Sequence, residues 1–554
     1  MPLTPYTGPF GRTELIHLMR RTLFGVTPGD LAHFDGMTLQ QVVNELLTFT
    51  NNTTPPLKAY TYPDGNNNPD PTLIDTPVPY GTTWVNTPQD PNMIVPNPAV
   101  ARAVSFIQWW SGLIVHQDRT LREKLTLFWH NTLVTQASVA FLPEPLYQYC
   151  QLLRTQAKGN FRQLMYDMTV NPAMLYYLNG YLNNAFAPDE NYAREVMELF
   201  TLGEGSGYSE ADVQQAARVL TGWTIIVEQG GNPVVPQTIY YNFLHDVGNK
   251  QFSGFFNNTV IAGDASPNGG AVELNALLDM IFLKEEVSRH ICRELYRFFV
   301  HSEIDATIET DIIEPLALIF RNNSAAPDQI GVVMNALLTC DRFFSNDVRG
   351  CMVKSPIDYT YGMVRQLGMP FPDNTQLEAQ YSTWFDMRNV AAYAGQVLAD
   401  PPNVAGWPAY YQFPQFDTIW MDAANYALRK QISDIICYVG FTTPANTYEP
   451  QSANLNFKID FPTFVAQFQN PLDPNTLIDE AVELLFATPL SQAVKDQLKT
   501  NFLLFGQASD IYWMQAWAAY SADPNTTDPY GMLVPVLLLS LFLDMQTAAE
   551  YHLH

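Results

Sequence analysis

The clearest pattern in the chain is a helix, a glycine break and a second helix. It is written as DENYAREVMELFTLG (189–203) followed by EGSGYSEADVQQAARVLTGW (204–223). Stepping about 100° per residue from Tyr192 puts Val196, Leu199 and Phe200 within roughly 80° of it, on one apolar face. Glu195 then falls between Leu199 and Leu202, with Asn191 and Glu198 on the same flank. A carboxylate inside an apolar arc is costly unless it is paired, hydrogen-bonded, metal-bound or protonated. Two readings follow: an ion pair that holds helices together, with Arg194 or a neighbouring arginine as partner, or a chemical site.

Helical spacing dominates elsewhere. Residues 10–48 read as three short helices, with Thr27 and Pro28 as cap and first-turn proline of the second, and Gly36 at its end. Residues 99–180 are mostly helical. In REKLTLFWHN (122–131), Leu121, Leu125, Phe128 and Trp129 share a face, and His130 falls opposite, either exposed or turned to a second layer. TIIVEQ, GGNP and VVPQTIYYNF alternate as a β-hairpin around 223–245. Helices resume at 271–345 and again after Lys354-Ser355-Pro356. DPPNVAGWP (400–408) reads as a rigid turn carrying Trp407. The window MLVPVLLLSLFLDM (532–545) is too short to span a bilayer and reads as a buried core helix. The expected fold is mainly α: a multi-helical globular array with long ordered loops and one small β-hairpin insertion. Residues 1–430 form a helical core with loop insertions at 50–98 and 224–270. Residues 431–554 form a C-terminal helical segment packed on the same core.

Composition narrows the function classes. Of 554 residues, 47% are hydrophobic and only 15% charged, which marks a folded protein. The net charge of −26 argues against nucleic acid and anionic membrane surfaces as partners. The 28 tyrosines and 10 tryptophans suit a protein or carbohydrate contact surface. The five cysteines form no CxxC pair, so a zinc ribbon is not expected; a Cys340–Cys351 bridge stays open. Residues 1–15 show no basic start followed by an apolar run, so no signal peptide is read there.

Other motifs carry weaker signals. Asp64, Asn66, Asn68 and Asp70 alternate oxygen side chains as a calcium loop does, with Asp75 further on, but Pro69 stands where the loop glycine belongs, so a solvated turn is expected. LHDVGNKQFSG (244–254) clusters His245, Asp246 and Lys250. Gly203, Gly205 and Gly207 lack dinucleotide-binding spacing and read as a helix stop and turn, after which Ser209 caps the next helix with Asp212 three residues on. No GxSxG, HExxH or P-loop is present.

Taken in order, HLMRRTLFG (17–25), REKLTLFWHN, ENYAREVMELFTLG, GYSEADVQQAARVLTGW, LHDVGNKQFSG, PPNVAGWP and AAEYHLH resemble the domain of unknown function 1800 family over essentially the whole chain. The resemblance implies a bacterial, largely exported protein, often encoded beside a sulfatase-like protein of the domain of unknown function 1501 family. It also implies that the motif residues His130, Asn131, Asn191, Arg194, Glu195, Glu198, His245, Asp246, Lys250 and Trp407 matter. Relatives that read WHNH and ELMELH carry histidines where this chain has Thr132 and Phe200, which removes two candidate metal ligands.

Two functions compete. In the first, a hydrolase or transferase acts on an extracellular polymer, with Glu195 or Glu198 as general acid or base and His130, or His245 oriented by Asp246, as second proton carrier. Asn131, Asn191, Arg194, Lys250 and Trp407 would support or bind substrate. A divalent metal on His130, Glu195, Glu198 and His245 is its metal-assisted variant. In the second, the chain is an assembly or cell-surface subunit, self-associating or docking a protein partner, and the polar motifs are buried networks that fix helix packing.

Overall fold

In the computed structural model, residues 3–50, 53–89, 96–445 and 454–554 are described. Helices dominate them, and every sheet is a two-stranded antiparallel pair. The first three helices are Arg12–Thr22, Pro28–Phe34 and Leu39–Leu46. The second starts as its sequence dictates: Thr27 accepts from the Asp30 amide at 3.0 Å, and Pro28 occupies the first turn, where no donor is needed.

The hairpin pairs Trp223–Gln229 with Asn232–Tyr240 in antiparallel register, Trp223 opposite Tyr240. Gly230 and Gly231 both have positive φ (60° and 81°), the geometry of a two-residue turn that matches strand twist. Pro233 and Pro236 are tolerated because a two-stranded ribbon leaves one edge of each strand unpaired.

The excursion between residues 50 and 98 is ordered where it is described; residues 51–52 and 90–95 lie outside the described residues. A buried charge cluster pins it. Arg102 pairs with Asp75 at 2.5 Å and also binds Glu144, and Lys58 donates to the carbonyls of Ile74, Asp75 and Val78 at 2.6, 3.1 and 2.9 Å.

One hydrophobic cluster runs from Leu15 to Tyr551. The C-terminal stretch, of which 446–453 lie outside the described residues, joins it through Phe461 stacked on Phe542 and through Arg20, which donates to the Glu483 and Leu484 carbonyls. Helix Val534–Thr547 buries Leu537, Leu538, Leu541 and Phe542 but leaves Val536 exposed. The apolar window read as a buried core helix thus packs one face into the core. Among the described residues no helix is long and apolar enough to cross a membrane. All five cysteines are free thiols, so the Cys340–Cys351 bridge is absent; the Cys340 thiol donates instead to the Leu337 carbonyl.

Candidate functional site

The ENYARE helix changes gauge in its middle. Asn191–Glu195 is α-helical, and Val196–Thr201 widens into a π-helix. Such widenings often accompany functional sites, but Glu309–Ile313, Asp434–Val439 and Lys499–Leu503 widen in the same way, so the π geometry alone does not mark a site. The extra residue per turn alters the face read from regular periodicity. Tyr192, Val196, Met197 and Phe200 are buried, and Leu199 is only partly so. The Leu199 carbonyl lies 3.0 Å from His290 Nε2, so the imidazole that touches this segment is His290, a residue periodicity did not single out.

Glu195 sits at the junction, half-buried, with no hydrogen bond or ion pair among the described residues. Burial, helped by the negative charge of Glu198, raises its carboxyl pKa to about 7. The same field reaches two phenols: burial and then Glu195 push Tyr177 up to about 12, and burial and then Glu198 push Tyr208 up to about 12. Arg194, the expected local partner, turns away. It binds Glu210, with one contact at 3.0 Å, and Glu190 at 3.2 Å. Asn191 is exposed, and its amide donates to the Leu178 carbonyl at 3.2 Å. Glu198 is half-buried on the π-turn.

His130 is fully buried, and the exposed alternative for it is overturned. Every side chain from Arg122 to Asn131 is buried, because this helix has neighbours on all sides, so its polar face meets a second layer and not water. The Tyr149 hydroxyl donates to the Leu133 carbonyl at 2.7 Å, so at 2.9 Å it accepts from His130 Nδ1. That leaves a lone pair on Nε2, which has no partner. Trp110 and Trp407 close over the ring at 4.7 and 5.6 Å, and burial lowers its pKa to about 3. Asn131 and Trp407 meet directly: Asn131 Oδ1 accepts from the Trp407 amide at 2.9 Å.

The third constellation is also buried, but not as expected. Asp246 does not orient His245; it pairs with Arg218 at 2.7 Å. His245 instead places Nε2 2.9 Å from Glu273 and Nδ1 2.9 Å from the Thr221 carbonyl. Lys250 Nζ reaches the other Glu273 oxygen at 2.5 Å, and the Asp264 amide donates to Glu273 at 2.7 Å. Periodicity missed Glu273. Its signal was an acid set among Val272, Leu274, Leu277 and Leu278 in Gly269–Phe282, a helix whose other acid is Asp279. Fully dry and satisfied, this group works as an interior strut.

His130 and His245 thus have partners of their own, Tyr149 and Glu273, and neither imidazole is bonded to Glu195 or Glu198. Among the described residues no group of three or more histidine, cysteine, aspartate or glutamate side chains is placed to hold a metal ion, which corrects the metal set His130, Glu195, Glu198 and His245. The calcium-loop candidates are engaged within their own turn. Asp64 accepts from the amides of Asn66 and Asn68, both at 2.8 Å, and Asp70 from Thr72 at 2.7 Å, so these carboxylates tie their own turn. Asp75 is committed to Arg102. A cleft of about 850 Å³ opens elsewhere, with Trp109, Arg122, Glu123, Arg154, Tyr381 and Trp384 on its walls, and neither Glu195 nor any candidate histidine lines it.

Fold and site together define a mainly helical protein in which His130, Asn131, His245, Lys250 and Trp407 are buried and the Glu195 and Glu198 carboxyls are half-buried where an α-helix widens into a π-turn. The chain belongs to the family described as "Protein of unknown function (DUF1800)", which matches residues 17–524. No curated protein and no solved structure matches it.

Proposed function

We propose that this chain is an extracytoplasmic hydrolase or transferase acting on an extracellular polymer, with Glu195 as its proton-carrying group. One observation carries the reading: Glu195 is half-buried and unpaired, and its pKa of about 7 lets it give or take a proton near neutrality. Burial, and then the negative charge of Glu198, keep that pKa high. The test is release of reducing ends or acyl groups from a panel of bacterial and plant polysaccharides and peptidoglycan. Wild type turns over one of them; Glu195→Gln loses turnover by about 100-fold or more, the usual worth of a general acid or base, and keeps its fold. No release by wild type, or full activity in the variant, overturns the reading.

A second reading, an assembly or cell-surface subunit, draws on a different observation. Leu182, Phe186, Phe243 and Val247 are exposed apolar side chains, and the segments that carry them are joined by the Ala185 amide to the Leu244 carbonyl at 2.8 Å. Grouped exposed apolar side chains of this kind mark contact surfaces. Concentration-dependent self-association that Phe186→Ser and Phe243→Ser abolish would favour this reading over catalysis.

A further inference from the structure

The first residues of REKLTLFWHN have no part in the Glu195 reading, yet Arg122 and Glu123 line the cleft of about 850 Å³. With Arg154 they are buried side chains, so they form its floor. Glu123 accepts from Arg154 Nη2 at 2.7 Å and from Arg122 Nε at 3.2 Å. Arg154 Nη1 continues to Thr53 Oγ1 at 3.0 Å, and Arg122 Nη2 to Asp118 at 3.3 Å. Each group fixes the next, which gives a polar surface set in place before any ligand arrives.

The opposite wall is aromatic. Trp384 lies against Gly112, where a Cβ would stand 2.5 Å from the indole, so glycine at this position is what admits the ring. His116 packs edge-on to Trp384 and to Phe371, with centroids 5.8 and 5.5 Å apart. His116 is exposed and Phe371 partly so, and these two rings offer their surface to a ligand. Polar groups with spare capacity stand beside them. The Tyr381 hydroxyl accepts from the Leu57 amide at 2.8 Å and keeps its own proton to donate. The Gln380 amide donates to the Pro372 carbonyl at 2.8 Å, which leaves Oε1 to accept. Asp373 holds Thr375 through Oδ1 alone, and Trp384 Nε1 is a donor without a partner.

Charge decides the class of ligand. Both guanidiniums on the floor are answered by Glu123 and Asp118, so neither is left over to hold an anion. Asp373 adds negative charge at the rim, which repels one. The volume lies in the range of small-molecule sites. Rings beside separate donors and acceptors, with no spare cation, suit an uncharged polyhydroxyl molecule: its hydroxyls meet the polar groups and its C–H face lies on the rings.

We propose that this cleft binds a neutral oligosaccharide, with one sugar ring seated on His116 and Phe371 and hydroxyls bonded to Asp373, Gln380 and Tyr381. The site is apart from Glu195, and binding is read at equilibrium without turnover. A failed release assay therefore leaves this proposal standing, and an absence of binding leaves the Glu195 reading standing.

The full chain is titrated calorimetrically with cello-, xylo-, manno-, malto- and laminari-oligosaccharides, and with oligogalacturonate as the acidic counterpart. At least one neutral sugar is expected to bind with a Kd of about 1 mM or tighter, and oligogalacturonate more weakly. Phe371→Ala and His116→Ala should each weaken that binding by about 5-fold or more, the worth of one ring contact. Both rings reach the surface, and should one variant fail to fold, the other still gives the readout. No binding of any neutral sugar, tighter binding of oligogalacturonate, or unchanged affinity in the folded ring variants overturns the proposal.

Discussion

Asn131 Oδ1 accepts the backbone amide of Trp407 at 2.9 Å, and this bond joins two motifs that lie far apart in the chain. Gly406 makes the approach feasible. Its φ is +89°, and a Cβ there would stand 2.4 Å from both the main-chain and side-chain oxygens of Asn131. The Trp407 ring then closes over His130. The sequences FWHN and AGWP therefore read as two halves of one interior joint.

That joint gives a first prediction. Gly406→Ala combines left-handed backbone strain with a clash against main-chain atoms and should cost about 2 kcal/mol or more. Asn131→Ala, which leaves a buried amide unpaired, should cost about 1–3 kcal/mol. Urea unfolding of both variants checks this; a Gly406→Ala protein as stable as wild type would remove the steric argument.

Acid sensitivity is the second. Burial depresses the pKa of His17, His130 and His552 to about 3. A depressed folded-state pKa gives stability that is present above the unfolded value, near 6.5, and lost as pH falls from there toward 3. Each such histidine contributes a slope of roughly 1.4 kcal/mol per pH unit in that window. His130→Phe should flatten the measured fall in unfolding free energy between pH 6.5 and 5, whatever it does to stability at pH 8.

Glu195 behaves with the opposite sign. Its folded pKa, about 7, lies above the unfolded 4.5. Its contribution to stability is fully present below pH 4.5 and lost as pH rises through 7, where an ionised carboxylate must be held half-buried. Glu195→Gln, neutral at every pH, should gain about 1 kcal/mol over wild type at pH 8, after allowance for solvent screening, and nothing at pH 4.5. Equal pH dependence in the two proteins would mean that the carboxyl titrates normally.

The strut around Glu273 supplies the fourth. Glu273→Gln removes the charge that faces Lys250 and His245 in a site fully closed to solvent. A loss of about 3–5 kcal/mol is expected, the cost of breaking a buried pair from one side. Pairing it with Lys250→Met should recover a large part of that loss in a double-mutant cycle, and an additive cycle would show that the two groups do not interact.

The helical pattern was legible because caps, glycine stops and apolar periodicity are local signals. Thr27-Pro28, Ser209 and the Gly230-Gly231 turn each act within a few residues of themselves. The candidate residues were legible as motifs but not as partnerships. For His130 periodicity left water and a second layer both open, because a helical wheel knows one buried face, whereas this helix is enclosed on every side. Asp246 looked like the partner of His245 because it is adjacent in sequence, while Glu273, the actual partner, stands 28 residues away. The π-widening after Glu195 leaves no periodic trace, since it depends on what neighbouring helices press against the turn.

Arg102 has a consequence beyond its local pairing. Its guanidinium sits on helix Pro98–Val115, while Asp75 belongs to the preceding excursion and Glu144 to helix Pro143–Thr155, so one side chain ties three stretches of backbone together in the dry interior. Peeling the excursion away would take Asp75 from Arg102 and leave the guanidinium with Glu144 as its one carboxylate partner among the described residues. A protease that nicks the exposed turn at Asn66 should therefore yield two pieces that separate on a denaturing gel yet travel as one particle through a native sizing column.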